Sequence, residues 1–386
     1  PFQFFLCHHK AGAGNLARML KMHLLENLRV YRKVFVDSDD LSDLNNLFSH
    51  VRSEVDDLVV LCSREVLLRP WCVGEIATCF LNNVPVVKVI LSDFVPPDAA
   101  AIEAYREMNS MFMLAEYGIS TKMIQDAIGW FGTNPLLRVP GVVTNVLMEE
   151  LAGRLAGRNF GSNPITVETD KVVIIHTSNN DTVILADQSN MEATCTACVV
   201  AKMLMPLLAL DKGVAFVLEH GSQMPGGVKH VVLVCTNGVL QKKPIIESLL
   251  HVSGLHIEPI VSETAFRFPT PQFCQELTEH VEMLALHSEQ MNLNAQLFVA
   301  LVQEIFKEIA LQVDPQVSED LLAVAVRRLA SRLRTKSSNK TFSKTSAISL
   351  IGSEMESTSV EMQDETSVGN QGGHPHIFSE GAMREV

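Results

Sequence analysis

The sequence predicts an α/β protein in which parallel strands alternate with helices, arranged as two similar units in tandem. Residues 58–62 form an apolar run without a charge, as in a strand buried on both faces of a parallel sheet. Strand and helix patterns alternate over residues 2–155, which is typical of parallel α/β sheets. The same order of patterns restarts after a series of glycines that ends at Gly161.

In the first unit, five apolar segments read as strands and are separated by helical patterns. Leu16, Leu20 and Leu24 recur at helical spacing, and Pro70 stands where a helix can begin, because its missing N–H costs little there. The predicted strands are residues 2–7, 34–36, 58–62, 85–91 and 136–140. The predicted helices are residues 15–28, 41–51, 99–115, 122–131 and 144–155 and one that begins at Pro70.

The second unit repeats the first most clearly around its third strand. Residues 231–236 match residues 58–63, and Cys235 follows Cys62 by 173 positions. An unrelated α/β domain with the same rhythm is the alternative interpretation. The predicted strands of this unit are residues 172–176, 214–218, 231–236, 257–261 and 266–269, with a helix at 193–210.

These patterns divide the chain into four predicted segments. Residues 1–160 form the first α/β domain and residues 165–290 a reduced version of it. Residues 291–334 are predicted as a helical extension, because apolar residues recur there at helical spacing. Residues 335–386 are rich in Ser, Thr, Glu and Gly and are predicted to be a disordered tail.

Composition limits the classes of partner. The formal net charge of −13 over 386 residues argues against nucleic acid, which requires concentrated Lys and Arg. The eight cysteines lack paired spacing and predict reduced, buried thiols in a cytoplasmic protein. The longest apolar candidate, residues 197–210, is interrupted by Lys202 and Pro206, so no membrane span is predicted. Because the chain opens with Pro1 and not with Met, the sequence leaves undecided whether a targeting signal precedes it.

One motif follows the third strand. Ser63 ends the strand, and Trp71-Cys72 with Glu75 opens the next helix. Together with residues 35–37 and 40–41, and with Phe4-Phe5-Leu6 and Arg18 upstream, this motif resembles the Toll/interleukin receptor (TIR) domain family over about the first ninety residues. The resemblance implies a flavodoxin-like fold, parallel strands with helices on both faces, in both units.

The resemblance also implies a function. TIR domains signal inside the cell, in innate immunity among other settings, by associating with other TIR domains or with themselves. The association surfaces would be the loop 37–45 and the helix that carries Trp71. Many relatives have a Gly late in that loop and a small residue in place of Pro70, and this chain has neither. That departure puts the flexibility of the loop in doubt.

A second activity follows from the same resemblance. Some TIR domains hydrolyse NAD, and the glutamate of this motif is then catalytic, so Glu75 would stabilise the positive charge on the ribose as nicotinamide leaves. Trp71 lies one helical turn before Glu75 and would offer its face to a heteroaromatic ring. The structural alternative is that Trp71 anchors the core and Glu75 is favoured by the helix dipole. Many TIR domains act only as adaptors.

Four further residues are candidates for binding NAD as a substrate. Lys10, in the loop 8–14, and Arg18 would add positive charge near the phosphates, while Asp37 and Asp40 lie in the loop expected to line the cleft. The loop 8–14 lacks the Gly-Lys-Ser/Thr ending of a phosphate loop, so a tight turn is the simpler interpretation and a generic nucleotide-binding domain is disfavoured. No cofactor and no metal site are predicted.

The second unit lacks these groups. At the shift of 173 positions, Trp71 corresponds to Pro244, Cys72 to Ile245 and Glu75 to Ser248. We therefore predict that the second unit is not catalytic.

Overall fold

A computed structural model describes residues 1–41, 43–160, 181–209, 214–218, 222, 224, 226–286 and 294–338. The described residues form two parallel five-stranded sheets, each flanked by helices. This is the flavodoxin-like α/β architecture that the sequence predicts, present twice. A helical region closes the described part of the chain.

The first sheet contains all five strands predicted for it, in the order β2-β1-β3-β4-β5. Its central strand β3 pairs with β1 and β4, which is why the apolar run 58–62 is fully buried. The strands are β1 Phe2–His8, β2 Lys33–Phe35, β3 Val55–Cys62, β4 Val86–Ile90 and β5 Leu136–Arg138. The helices are α1 Lys10–Glu26, α2 Asp37–Asp40, α3 Leu47–Ser53, α4 Pro70–Asn82, α5 Ala99–Glu103, α6 Thr121–Phe131 and α7 Asn145–Ala156.

The predicted helix 99–115 was wrong beyond its first turns. After α5, the chain forms two 3₁₀ helices, Ala104–Arg106 and Asn109–Tyr117. Met111 and Leu114 are buried three positions apart, the spacing at which a 3₁₀ helix repeats its face.

The second sheet has the same topology as the first. Its order β10-β9-β8-β6-β7 is the order of the first sheet read from the other edge. Its strands are β6 Asp181–Leu185, β7 Ala215–Val217, β8 Val228–Cys235, β9 His256–Val261 and β10 Leu311–Gln312. The helices are α8 Met191–Leu208, α9 Lys243–His251, α10 Pro271–Leu286, α11 Ala295–Ile305 and α12 Glu319–Ser338.

The repeat around the third strand is confirmed. β3 and β8 begin at Val55 and Val228, which are 173 positions apart, and each is followed by a 3₁₀ helix, Val66–Leu68 or Val239–Gln241. The next helices, α4 and α9, also begin 173 positions apart, and each has a proline in its first turn.

One strand of the second unit differs from the prediction, and one predicted strand is not tested. The predicted strand 172–176 lies outside the described residues, among which the first strand of this unit is β6. Residues 266–269 are not a strand, because Phe266 packs instead against Phe268 and Phe306, with ring centroids 5.0 and 5.5 Å away. The fifth strand is the two-residue β10, which pairs with β9 and comes from the segment predicted as a helical extension. Of the predicted tail, residues 335–338 complete α12 and the rest lies outside the described residues.

The two units share one hydrophobic core. A single cluster of buried side chains includes Leu16 and Leu20 of α1, Val200 and Leu204 of α8, and Leu329 of α12. Helix α1 packs on α8, while α7 packs on α1 and α12 on α8. The corresponding helices of the two units therefore make corresponding contacts.

Helices α1 and α8 run in the same direction. Near their first turns, Asn15 Nδ2 donates to Thr196 Oγ1 at 2.9 Å, and each of these residues is the sixth of its helix. Further along, Lys202 pairs with Glu26 near the end of α1. Both helices follow the first strand of their sheet, so the carboxyl edges of the two sheets lie at the same end of the described protein.

A carboxylate of the second unit caps a helix of the first. Helix α1 is kinked at Ala13, where φ is −158° and ψ is 22°, and regular helical geometry begins again at the next residue. Glu192 accepts hydrogen bonds there from the amides of Asn15 at 2.7 Å and Leu16 at 3.3 Å. Amides at a helix start have no partner within the helix, and Glu192 satisfies them from the other unit.

Helix α8 is long and apolar enough to cross a membrane by length and composition alone. Of its span, 61% is buried inside the protein, where it packs on α1 and α12. A core helix shows the same properties, so no conclusion about membranes follows.

Candidate functional site

The candidate site lies at the carboxyl edge of the first sheet. Here β1 ends at His8, β2 leads into α2, β3 ends before Ser63, and α4 starts. This edge is where parallel α/β sheets bind ligands, because loops from several strands meet there. Glu75, on the second turn of α4, points into the space between that helix and β1.

Glu75 is buried beside two thiols. Its side chain has 6% exposure, and a carboxylate oxygen, Cys7 Sγ and Cys72 Sγ all lie within 4.8 Å of one another. The pKa of Glu75 is raised to about 8, mainly by burial and in part by the charge of Asp37, while a hydrogen bond with Cys7 opposes the rise. The carboxyl is therefore largely protonated at neutral pH in this conformation.

One oxygen of this carboxyl is unsatisfied. Glu75 Oε2 is buried, and the described residues supply it with no hydrogen-bond partner. Nor do the described ion pairs include one to Glu75. A buried oxygen without a partner is costly, which marks this position as one where a group not belonging to the chain can bind.

Trp71 belongs to an aromatic cluster. Its ring centroid lies 5.7 Å from that of Phe48 and 5.5 Å from that of Tyr117, and these two rings are 5.1 Å apart. The indole is thus packed between α3 and the 3₁₀ helix Asn109–Tyr117. The indole is partly exposed, and its contacts with two aromatic rings are those expected if Trp71 anchors the core.

Lys10 and Asp37 share the edge with Glu75. Lys10 Nζ lies 3.0 Å from Asp37 Oδ2, and His8 Nε2 lies 3.9 Å from Asp37 Oδ1. Burial lowers the pKa of His8, and the charge of Asp37 opposes this shift. Asp37 and Glu75 are close enough to interact electrostatically, so Lys10, Asp37 and Glu75 belong to one site.

Arg18 and Asp40 lie in a different network. Arg18 makes a bidentate ion pair with Asp39 and donates to the carbonyl oxygens of Pro315 at 3.0 Å and Val317 at 2.8 Å. Asp40 accepts from Lys21 at 3.1 Å. These two candidates thus join α1 to α2 and to the second unit.

Sequence reasoning missed Asp39 and Lys21, which complete this network. Lys21 Nζ lies 2.7 Å from Asp39 Oδ2. Burial alone would raise the pKa of Asp39, but hydrogen bonds and charges from Arg18 and Lys21 hold it below its ordinary value. The sequence did contain a signal for this network. Lys21 lies one helical turn after Arg18, so both side chains can face the acidic stretch 37–40.

Two surface clefts lie away from Glu75. One, of about 350 Å³, is lined by Lys21, Leu25, Lys33, Val34, Asp39, Asp40 and residues 318–320. The other, of about 600 Å³, is lined by Pro1, Phe2, Leu25, residues 30–33, His50 and Glu54. Glu75 lines neither of them.

Gly74 fixes the distance between α4 and its neighbours. A Cβ there would stand 2.4 Å from Phe48 Cζ and 3.0 Å from Leu114 Cδ2. We expect Gly74→Ala to lower the free energy of unfolding by about 1–2 kcal/mol, because overpacking outweighs the helix propensity gained by replacing glycine. Chemical denaturation measures this change.

Gly129→Ala is the matched control. Gly129 is an exposed helical glycine of α6, and a Cβ there meets nothing within 4 Å. We expect it to stabilise the protein by up to about 1 kcal/mol. The same sign for both variants would contradict the close packing at Gly74.

The second sheet carries a different set of groups at its carboxyl edge. Ser248 on α9 stands at the position of Glu75, as the repeat predicts, and is partly buried. Nearby, Asp187 Oδ1 accepts from Ser189 Oγ at 2.6 Å, and Lys242 Nζ lies 3.5 Å from Asp187 Oδ2. These side chains hold the β6–α8 loop to the start of α9.

No protein-family model matches this chain, and no curated protein matches it. The fold and the geometry of the site therefore carry the functional argument.

Proposed function

We propose that this protein is a cytoplasmic signalling protein of the TIR type, which acts by association of its first unit with other TIR-like units or with itself. The main support is apolar surface around the aromatic cluster of Trp71, Phe48 and Tyr117. Leu44, Leu68, Phe112 and Met113 are each 36–51% exposed and lie on the segments that precede or flank this cluster. Exposed apolar side chains grouped around aromatic rings are typical of protein–protein contacts.

The other faces of the first unit fit this assignment. Its α1 face is already covered by α8 of the second unit. Helix α2, which follows β2, is held by ion pairs of Asp39 and Asp40 with Arg18 and Lys21, so the segment after it starts from a fixed position. Because one end of this segment is already held in place, ordering the segment when a partner binds costs less entropy.

Sedimentation velocity of the full chain over a concentration series tests the association, with and without NAD. We expect oligomers whose population grows with concentration, and at least tenfold weaker association in Phe112→Ser, because truncating an aromatic anchor costs about 2 kcal/mol and each 1.4 kcal/mol or so is tenfold.

Leu321→Ser is the control for this experiment. Leu321 is 62% exposed on α12 of the second unit, compared with 51% for Phe112. It should leave the association constant unchanged. A strict monomer at every concentration, or equal weakening by both substitutions, would refute association through this surface.

A second candidate function is hydrolysis of NAD to nicotinamide and ADP-ribose. It is favoured by the unsatisfied oxygen of Glu75 at the carboxyl edge, beside Lys10 and Asp37. In this reaction the bond between ribose C1′ and the nicotinamide nitrogen breaks, its electron pair leaves with nicotinamide, and water adds to C1′ with release of a proton. An ionised Glu75 would stabilise the positive charge at C1′.

This candidate requires a change at the edge. Glu75 is 6% exposed and largely protonated at neutral pH, so substrate or an associating partner has to open the space between α4 and β1. Catalysis therefore depends on this opening, whereas association does not.

Nicotinamide release by the concentrated full chain tests catalysis. We expect release by the unmodified protein and a loss of at least a hundredfold in Glu75→Gln, which keeps the shape of the side chain and removes its charge. Glu247→Gln, the nearest carboxylate on the corresponding helix α9, should retain activity. Equal release from all three proteins would exclude Glu75 as the catalytic group.

A further inference from the structure

We propose that Cys7 and Cys72, together with Glu75, form a binding site for one zinc ion. The three residues come from two rigid elements: Cys7 from the central part of the first sheet, and Cys72 and Glu75 from α4. Cys72 and Glu75 are three positions apart, so they share a helix face. That face is turned toward β1, which brings all three ligand atoms within 4.8 Å of one another.

The spacing suits a small ion. Zinc binds thiolate sulfur at about 2.3 Å and carboxylate oxygen at about 2.0–2.2 Å, so tetrahedral ligands lie roughly 3.5–3.8 Å apart. The three atoms therefore have to approach one another by at most about 1 Å to reach that separation. The carbonyl oxygen of His8 lies 3.3 Å from Cys72 Sγ, and either it or a water molecule supplies a fourth ligand.

The burial of the cluster is the second observation. Cys7, Cys72 and Glu75 are 1, 4 and 6% exposed, and Glu75 Oε2 has no hydrogen-bond partner among the described residues. Lys10, the cation at the start of the adjoining helix α1, is paired with Asp37. A buried carboxyl oxygen without a hydrogen-bond partner is costly, and no described cation lies among these three groups. A divalent cation supplies the missing partner of Oε2.

The donor set selects the kind of metal. Two sulfurs and one carboxylate are soft to borderline ligands, which favour zinc over magnesium or calcium. Binding displaces the protons of the two thiols and of the Glu75 carboxyl into solvent, and no electron transfer is needed. With a water molecule as the fourth ligand, the site can exchange its ion with solution more readily than one with four protein ligands.

Zinc at this position would regulate the site. The ion would hold the carboxylate of Glu75 and join α4 to β1, which closes the space that NAD hydrolysis requires. This consequence rests on the second proposed function: zinc should inhibit nicotinamide release. Zinc binding itself does not depend on that activity.

The test uses the full chain, reduced, treated with a chelator and then titrated with Zn²⁺ alone against a chromophoric chelator. We expect the unmodified protein to bind one zinc ion per chain. In Cys72→Ser and in Glu75→Gln, we expect the zinc affinity to fall at least tenfold. Titration calorimetry in buffers of different protonation enthalpy should show release of protons on binding. Replacing zinc by Co²⁺ should give the absorption of thiolate-to-metal charge transfer.

Cys62→Ser is the matched control, because Cys62 is a fully buried thiol of the adjacent strand outside the cluster. It should bind zinc like the unmodified protein. Circular dichroism of each variant, and a rise of melting temperature with zinc only in proteins that retain the cluster, separate loss of the site from loss of the fold.

Two results would overturn the proposal. One is equal zinc affinity in Cys72→Ser, Cys62→Ser and the unmodified protein. The other is a disulfide between Cys7 and Cys72 in the protein isolated without reductant, with no zinc bound after reduction. Because no NAD is present in these titrations, failure of the zinc site and failure of NAD hydrolysis are independent results.

Discussion

Replacing Arg18 with alanine is expected to lower the free energy of unfolding by about 3–5 kcal/mol, the cost of leaving a buried charge without its partner. The Arg18 side chain is 3% exposed and that of Asp39 is 9% exposed. The guanidinium also donates to the carbonyl oxygens of Pro315 and Val317, so its loss leaves acceptors of both units unsatisfied. Denaturant unfolding, followed by circular dichroism, measures the change.

Arg32→Ala is the matched control. Arg32 makes a similar contact with both oxygens of Asp56, at 2.8 and 3.1 Å, but on the surface, with 41% of the arginine side chain exposed. Surface pairs of this kind contribute up to about 1 kcal/mol, so the control should change stability little. Similar losses from both substitutions would show that the buried network contributes no more to stability than a surface ion pair.

Glu192 should make the stability of the protein depend on pH. Burial raises the pKa of Glu192 to about 7 from its ordinary value of 4.5, and hydrogen bonds from the amides of Asn15, Leu16 and Gly14 oppose the rise. With the folded pKa above the unfolded one, the contribution of this group to stability is fully present below pH 4.5 and is lost as pH rises through about 7. We expect a loss of about 2 kcal/mol from this group between pH 5 and pH 8.

Glu192→Gln isolates this effect. The amide keeps an oxygen that can accept from the start of α1, and it does not titrate. The stability of Glu192→Gln relative to the unmodified protein should therefore increase by about 2 kcal/mol between pH 5 and pH 8, measured by urea unfolding at each pH. A difference that stays constant over this range would show that Glu192 ionises as it does in water.

Elements with strong local patterns could be predicted from the sequence. The run 58–62 and its repeat 231–236 form most of the central strands β3 and β8. Both runs are short and uncharged, which is typical of strands buried on both faces of a parallel sheet. The start of α4 was marked by Pro70. β10 could not be predicted from the sequence, because a strand of two residues shows no hydrophobic pattern. Its position depends on pairing with β9.

The candidate site was predicted only in part, because contacts between distant segments leave no local signal. Glu75 and Trp71 were expected to act together from one helix face, yet Trp71 contacts Phe48 and Tyr117 while Glu75 contacts Cys7. Arg18 was singled out for its positive charge, but the sequence did not show that it pairs with Asp39 and donates to the backbone of the second unit. Spacing along a helix shows which residues share a face, but not what that face meets.

The pairing of α1 with α8 has a further consequence. A hydrogen bond between Asn15 and Thr196, each the sixth residue of its helix, is the contact expected of an isologous homodimer joined into one chain by duplication. Covalent fusion removes the dependence of such a pair on protein concentration. Fusion also frees each copy to change alone, whereas a mutation in a homodimer alters both sides at once. The serine at the second copy's equivalent of Glu75, Ser248, is an asymmetry that only a fused pair can keep.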